Sequence, residues 1–420
     1  MIHHPKPILV FLLLLTLWSC ASENQEGGST GKTGIIAHKG RNYDGVYLFN
    51  NGKDIILSWT EWHEDKADNK MKWSRFDTES LRFDSVRDIP VSKGLQMHAE
   101  SMAKAGIFPD GTLIAVYRKK LPSDRSRFGG VLYYSVSRDG GTTWGDAIRL
   151  VDDTASVSQS FFDIALLPDG RMGITWLDSR SERRGKTLYF ARTDENNRFS
   201  EQKPVAFSTC ECCRTDLYTD STGKIRIAYR NLIEPDEPGF DGVSHIEIRD
   251  MYYLESADGG KTFSRPVRVS RDNWHVNGCP HTGPSMAYNG QRLGMVWFTA
   301  SGNEPGLFFS FKYKNRLAFE PRRKISSEGR HPQMVASGAN LYVVYEEYYE
   351  EAQKGYYRII LEKITPGGMA VKREISPPFS QNDHAVITSF QNRLLIVWVN
   401  RDTRNPKIMW KVVDEEIFNL

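Results

Sequence analysis

The chain has 420 residues, is 40% hydrophobic and 12% aromatic, and can therefore bury a large core; this composition excludes a disordered polymer. Its 55 Lys and Arg against 52 Asp and Glu give a formal charge of +3, with no long block of one sign, which excludes an electrostatic footprint for nucleic acid.

The first twenty residues read MIHHPKPILVFLLLLTLWSC. Lys6 precedes an apolar run from Ile8 to Leu17 that is too short to span a bilayer and suits a signal peptide. Leu17-Trp18-Ser19-Cys20 resembles the lipobox of bacterial lipoproteins. That resemblance implies cleavage after residue 19, lipidation of Cys20 and anchoring in the cell envelope, with no other membrane contact. An ordinary secretory signal with an incidental cysteine is the alternative. A polar tether is expected over residues 20–35. Four cysteines follow Cys20: Cys210, Cys212, Cys213 and Cys279. In an oxidising compartment an even count makes disulfides the default expectation.

From residue 36 onward one pattern recurs seven times: a turn, often Asp-Gly or Asn-Gly, then a β-rich strand ending in an aromatic and a polar cluster. The copies are NGKDIILSWTE (51–61), FPDGTLIAVYRK (108–119), LPDGRMGITWLD (167–178), STGKIRIAYRN (221–231), YNGQRLGMVWFT (288–299), SGANLYVVYEE (337–347) and FQNRLLIVWVN (390–400). Further strands follow, such as VLYYSVS (131–137), TLYFART (187–193), DMYYLES (250–256), GLFFSFK (306–312) and KIMWKVV (407–413). The turn dipeptides supply the positive φ of tight hairpins, and no segment sustains a 3.6-residue apolar period. The pattern predicts an all-β protein: a single β-propeller, residues 36–420, of four-stranded antiparallel blades. Trp59, Trp176, Trp297 and Trp398 recur at one strand position and are expected to pack within blades.

Two turns carry a more specific signature. Ser137-Arg-Asp139-Gly-Gly141-Thr-Thr-Trp144 and Ser256-Ala-Asp258-Gly-Gly260-Lys-Thr-Phe263 resemble the Asp-box (BNR repeat) of the sialidase superfamily. A worn copy stands at Arg192-Thr-Asp194-Glu-Asn196-Asn-Arg-Phe199. The Asp accepts turn amides and the Gly takes a left-handed conformation, so the box marks a fold and not a chemistry. The repeat count here is seven blades; six, as in sialidases, is the alternative, with the first or last unit incomplete.

In propellers the loop entering the first strand of each unit, and the loop leaving the second, line one axial funnel. The funnel is thus expected to hold His98, Glu100, His331, Asp383 and His384. The sialidase resemblance implies an arginine clamp on a sugar carboxylate, and Arg41, Arg214 and Arg330 are its candidates. It also implies a tyrosine nucleophile with a glutamate partner, for which Tyr348 and Glu346 stand, and an acid, Asp163 or Asp44. The Phe/Tyr-Arg-Ile-Pro motif of that family is absent; the matching stretch reads HKGRNYDG. A second reading takes Cys210, Cys212, Cys213, Cys279 and His281 as a copper or zinc site or as redox-active disulfides, because thiolate with imidazole suits those ions. A third is a binding module without catalysis, with Trp62, Phe298 and Tyr348 stacking on sugar rings. The expected partner is a glycan or other small ligand bound by a monomer. The acidic insertion EPDEPGFDG (234–242) is either a lid or a plain surface loop.

Overall fold

The computed structural model describes residues 31–121, 129–181, 183–233, 247–276, 278–302, 304–314, 316, 318–365 and 370–418. The signal segment, Cys20, most of the tether and the insertion at 234–242 lie outside the described residues.

The fold is all-β; its helical residues form only three short 3-10 turns among the described residues, at Lys66–Asp68, Pro90–Ser92 and Glu415–Phe418. Each sequence unit becomes an antiparallel meander whose strands pair in chain order. In the third unit, for example, Gln159–Leu166 pairs with Met172–Asp178, which pairs with Lys186–Thr193, then Phe199–Thr209. The third and fourth units touch edge to edge at one residue pair, Thr209 and Asn231. The final unit, Asn382–Phe390, Arg393–Asn400 and Lys407–Asp414, takes its outer strand from Thr33–Ile36. The tether expected over 20–35 therefore ends at residue 32: its last residues are drawn into a sheet by unpaired edge groups of Lys407–Asp414.

The first strands of the units are Asn42–Asn50, Lys104–Ile107, Gln159–Leu166, Asp216–Thr219, Ser285–Tyr288, Gly329–Ser337 and Asn382–Phe390. Each packs against the next, and Asn382–Phe390 returns to Asn42–Asn50, so the first strands close a ring. The core lies between consecutive sheets. Leu57, Val397 and Trp410 join the last unit to the first, and Tyr342, Leu394 and Trp398 join the sixth to the last. The recurring tryptophans are fully buried. Three have partners for the indole N–H: Trp176 donates to Asp178 (3.0 Å), Trp297 to Asp272 (2.7 Å) and Trp398 to Asn382 (2.9 Å). Trp59 has none among the described residues.

The turns Ser137–Trp144 and Ser256–Phe263 join third to fourth strands. Asp139 accepts the amides of Thr142 (3.0 Å) and Thr143 (2.9 Å), and Asp258 accepts that of Thr262 (2.9 Å). Gly141 and Gly260 have φ of 85° and 84°, and a Cβ on either would strike the neighbouring unit's Trp73 or Phe190. Glycine is needed there twice over, for the backbone and for the close approach.

Candidate functional site

Antiparallel register puts the start of each first strand beside the end of its second strand: Asp44 opposite Thr60, Gln159 opposite Asp178, Arg330 opposite Glu346, Asn382 opposite Asn400. The polar residues expected to face a funnel thus share one end of the ring.

Just inside that end runs a largely polar belt. Tyr47, Lys104, Asp163, Asp216, Ser285 and Gln333, with the apolar Val386 in the last unit, occupy one register position, each opposite the residue before the unit's central aromatic or its equivalent. Inner strands present unpaired amides along their free edges, and these need acceptors. The belt supplies them across units: Asp163 accepts the Leu217 N–H (2.8 Å), Asp216 that of Met286 (2.8 Å), and Ser285 that of Met334 (3.0 Å). Lys104, buried, donates to Asp163 at 2.6 Å. Burial first, and then the neighbouring Asp163 charge, push the Asp216 carboxyl up to about 8. Both oxygens of Asp163 are thus committed to holding strands together, a poor starting point for the acid role assigned to it.

Two residues above the belt, four first strands carry a β-bulge. Register slips between Asp44 and Tyr47, Ser160 and Asp163, Arg330 and Gln333, and Asp383 and Val386. The residue after each first-named one has a left-handed φ: Gly45 62°, Phe161 49°, His331 46°, His384 49°. A bulge re-aims a side chain, and only glycine takes this φ without strain. Two of the strained residues are histidines.

His331 and His384 stack with ring centroids 4.3 Å apart. Glu346 fixes both: one oxygen lies 2.8 Å from His331 Nδ1 and the other accepts the His384 N–H at 2.7 Å. His384 also lies 3.2 Å from Asp383 and 3.7 Å from Glu100. Glu100 is 3% exposed, and among the described residues neither of its oxygens accepts a hydrogen bond. Arg214 stands 3.8 Å from it and donates to the Pro332 carbonyl at 3.1 Å. His98 packs edge-on against His281 at 5.1 Å, and its Nδ1 accepts the Glu100 N–H at 3.1 Å. The two ends of this group are tuned apart. Burial, with the neighbouring His281, lowers the pKa of His98. Burial also works against a charged His384, but Asp383, Glu346 and Glu100 outweigh it and hold the imidazole up at about 9. Burial would lift Glu100, yet Arg214, His331, His384 and His98 keep its carboxyl below the usual range. At neutral pH the group therefore holds a neutral imidazole, its Nδ1 lone pair on the Glu100 N–H, and a cationic one in one cluster.

The expected arginine clamp does not assemble through mutual contact. Arg41 pairs with buried Glu61 at 3.3 Å, Arg214 lies beneath Glu100, and Arg330 is exposed at the mouth. Tyr348 packs on Tyr357 at 5.4 Å, while Glu346 is engaged by the histidines. Asp44 and Asp383 share Arg401, at 2.8 and 2.5 Å.

The cysteines gather on the same end, where the loops entering the fourth and fifth units meet. No two of the four sulfurs are bonded, which overturns the disulfide expectation. Cys210 Sγ lies 3.9 Å from Cys212 and 3.1 Å from Cys213, and Cys212, Cys279 and His281 form a second group with ligand atoms within 4.8 Å. Hydrogen bonds from Cys212 and Cys213, opposed by burial and helped by Arg249, lower the pKa of the Cys210 thiol. Arg249, absent from the sequence-based candidates, is 3.4 Å from Cys210 and donates to the Gly278 carbonyl at 2.6 Å. It sits on a third strand, Ile248–Ser256, outside the loops that the repeat alignment marks. A cavity of about 490 Å³ lies at the opposite end of the first strands, lined by Tyr47, Asn50, Leu167, Pro168, Tyr218 and Asp220, and holds none of these groups.

No family model and no curated protein matches this chain. Among solved structures it is similar to polysaccharide lyase Uly1, with a TM-score of 0.56 and 12% identity over 94% of each chain. It is similar also to a protein of unknown function from Dyadobacter fermentans DSM 18053, with a TM-score of 0.50 and 11% identity over 92% of this chain and 98% of that one. A Trypanosoma rangeli sialidase aligns with a TM-score of 0.47 and 10% identity over 90% of this chain and 56% of its own. At such identities the likeness is one of fold.

Proposed function

We propose that the chain is a seven-bladed propeller whose axial funnel binds, and acts upon, a glycan bearing a carboxylate. The observation that carries this reading is the convergence of His98, His281, His331 and His384 around Glu100, with a neutral imidazole beside a cationic one. In this reading the His384 imidazolium and Arg330 at the mouth bind the sugar carboxylate, which acidifies the carbon next to it. The lone pair of neutral His98 is on Nδ1, which accepts the Glu100 N–H at rest; Nδ1 exchanges that bond for the carbon's proton, and as a double bond forms the glycosidic oxygen departs from the neighbouring carbon and takes a proton from water. The polysaccharide-lyase neighbour favours elimination over sialoside hydrolysis, as does the engagement of both Glu346 oxygens by histidines and not by a tyrosine.

The test is incubation with a panel of acidic polysaccharides. Elimination produces an unsaturated uronate seen by its ultraviolet absorbance; hydrolysis produces reducing ends without it. His98→Ala is expected to abolish turnover while binding persists, and His384→Gln to weaken binding about tenfold or more, a loss of roughly 1.4 kcal/mol. Neither binding nor turnover with any acidic glycan would sink the reading.

We place the protein in the bacterial cell envelope, held by lipid on Cys20, on the strength of the N-terminal pattern. Mass spectrometry of the mature N-terminus should find a diacylglyceryl adduct that Cys20→Ala lacks.

A further inference from the structure

We propose that Cys210, Cys212, Cys279 and His281 bind a thiophilic d10 cation, zinc or copper(I), at the wall of the funnel. Every cysteine among the described residues belongs to this one cluster, although Cys279 lies far along the chain from the other three. Packing alone gives no reason for such convergence. Two thiolates on a tetrahedral zinc, each about 2.3 Å from the metal, lie about 3.8 Å apart. Cys210 and Cys212 stand at 3.9 Å without any ion present. Cys212 belongs to both sulfur groups and so is the hinge of the set, with Cys279 and His281 supplying the far side. Cys213, fully buried, sits behind Cys210 at 3.1 Å, too close for a second thiolate on the same tetrahedron, and serves as a donor to it.

Separate features hold the two loops in place. Gly283 lies against Arg214, where a Cβ would come within 2.3 Å of that residue's carbonyl oxygen, so glycine lets the fourth and fifth units' loops meet. His275 bridges to Ile248, and Arg249 accepts a role in both loops through Cys210 and the Gly278 carbonyl. Three thiolates and a neutral imidazole around a divalent ion leave one negative charge, and with Glu247 counted the two guanidiniums of Arg249 (2.8 Å from Glu247) and Arg184 (2.9 Å from it) bring the group to neutrality. That balance favours zinc over copper(I). Since His281 also packs on His98, the ion would fix one wall of the glycan site.

The test uses the full chain, purified in detergent under inert gas with thiols kept reduced. Elemental analysis is expected to find about one zinc per chain, the stoichiometry of a closed site. Cobalt(II) exchanged into the unmutated chain should give the intense visible absorption of a tetrahedral thiolate complex, a readout needing no variant. Competition with a chromophoric zinc chelator, and separately with a copper(I) chelator, tells the two ions apart; tighter retention of copper(I) supports the site and reverses the charge argument. Cys212→Ser and His281→Ala should each weaken binding by more than the roughly 10–100-fold that loss of an outer-shell partner costs, and Arg249→Gln should fall within that range. His38→Ala, outside the cluster, should leave binding unchanged. Four titratable thiols with neither ion held below micromolar, or a Cys210–Cys213 disulfide in anaerobically isolated protein, would overturn the proposal.

Discussion

Replacing Asp163 by alanine strands the Lys104 ammonium, which is 2% exposed and whose ion-pair partner is Asp163 at 2.6 Å. It also deprives the Leu217 amide of its acceptor at 2.8 Å. Breaking a buried pair from one side costs about 3–5 kcal/mol, because the surviving charge stays desolvated. The rings of Tyr47 and Phe162, 4.8 and 5.5 Å from Nζ, recover part of that and place the expected loss toward the lower end. Urea unfolding followed by tryptophan fluorescence measures it. Lys104→Met should be milder, since Asp163 keeps two amide donors, and the double variant Lys104→Met with Asp163→Ala should be milder than Asp163→Ala alone. A loss below about 1 kcal/mol for Asp163→Ala, the range of an exposed pair, together with abolished glycan turnover, would refute this reasoning. Asp163 would then be the catalytic acid that its position in the repeat first suggested.

Further expectations follow from the same geometry. His384 is held up at about 9, above an unfolded value of about 6.5, so its contribution to stability is fully present below pH 6.5 and lost as pH rises through 9. The urea midpoint of the protein should therefore fall more steeply between neutral pH and pH 10 than that of His384→Gln, and glycan binding should fall with it. Asp216 keeps its proton in the fold up to about pH 8 but not when unfolded, so stability should decline as pH rises from about 4 to 8. Asp216→Asn should flatten that decline and be no less stable at neutral pH, as the same urea series would show. Trp176→Phe leaves Asp178 short of a donor, whereas Trp59→Phe removes an indole N–H that has no partner. In thermal or urea unfolding Trp59→Phe should therefore be milder by at least about 1 kcal/mol.

What was legible in the sequence was local. Turn dipeptides, alternating strands and the Asp-containing turns each act within a dozen residues, so the units and their order could be read directly. The face bearing the functional groups was legible as well, since it follows from which loop enters which strand. Partners were not. Arg41, Arg214 and Arg330 look alike in sequence, yet one is tied to Glu61, one lies under Glu100 and one is exposed. Asp163 looked like an acid because a belt carboxylate and a catalytic one have the same neighbours in sequence. Aligning the units at that position would have exposed Lys104, Asp163, Asp216 and Ser285 as one structural series. Arg249 carries no signal in the repeat because it reaches the thiols from a third strand, and Thr33–Ile36 carries none because four residues are too few to show a period.

The belt and the bulges bind stability and function together. On four first strands the two lie two residues apart, and on Gln159–Leu166 both act together: belt residue Asp163 fastens the strand to the next unit through the Leu217 N–H, while bulge residue Phe161 packs on His98 at the mouth. Non-glycine residues at a left-handed φ cost on the order of 1–3 kcal/mol each, and Phe161, His331 and His384 all bear it. A lone hairpin could relax by slipping one residue, which would put every side chain on the wrong face. Here slippage is blocked, because moving the strand of Asp163 breaks its bonds to Lys104 and Leu217 in two neighbouring units. Ring closure extends that restraint around the axis, so no strand can relax alone. The strained imidazoles are held by cross-unit bonds elsewhere on their own strands, Met334 N–H to Ser285 on that of His331 and the Ser389 hydroxyl to the Ala336 carbonyl on that of His384, and weakening these bonds should loosen the site before it unfolds the protein.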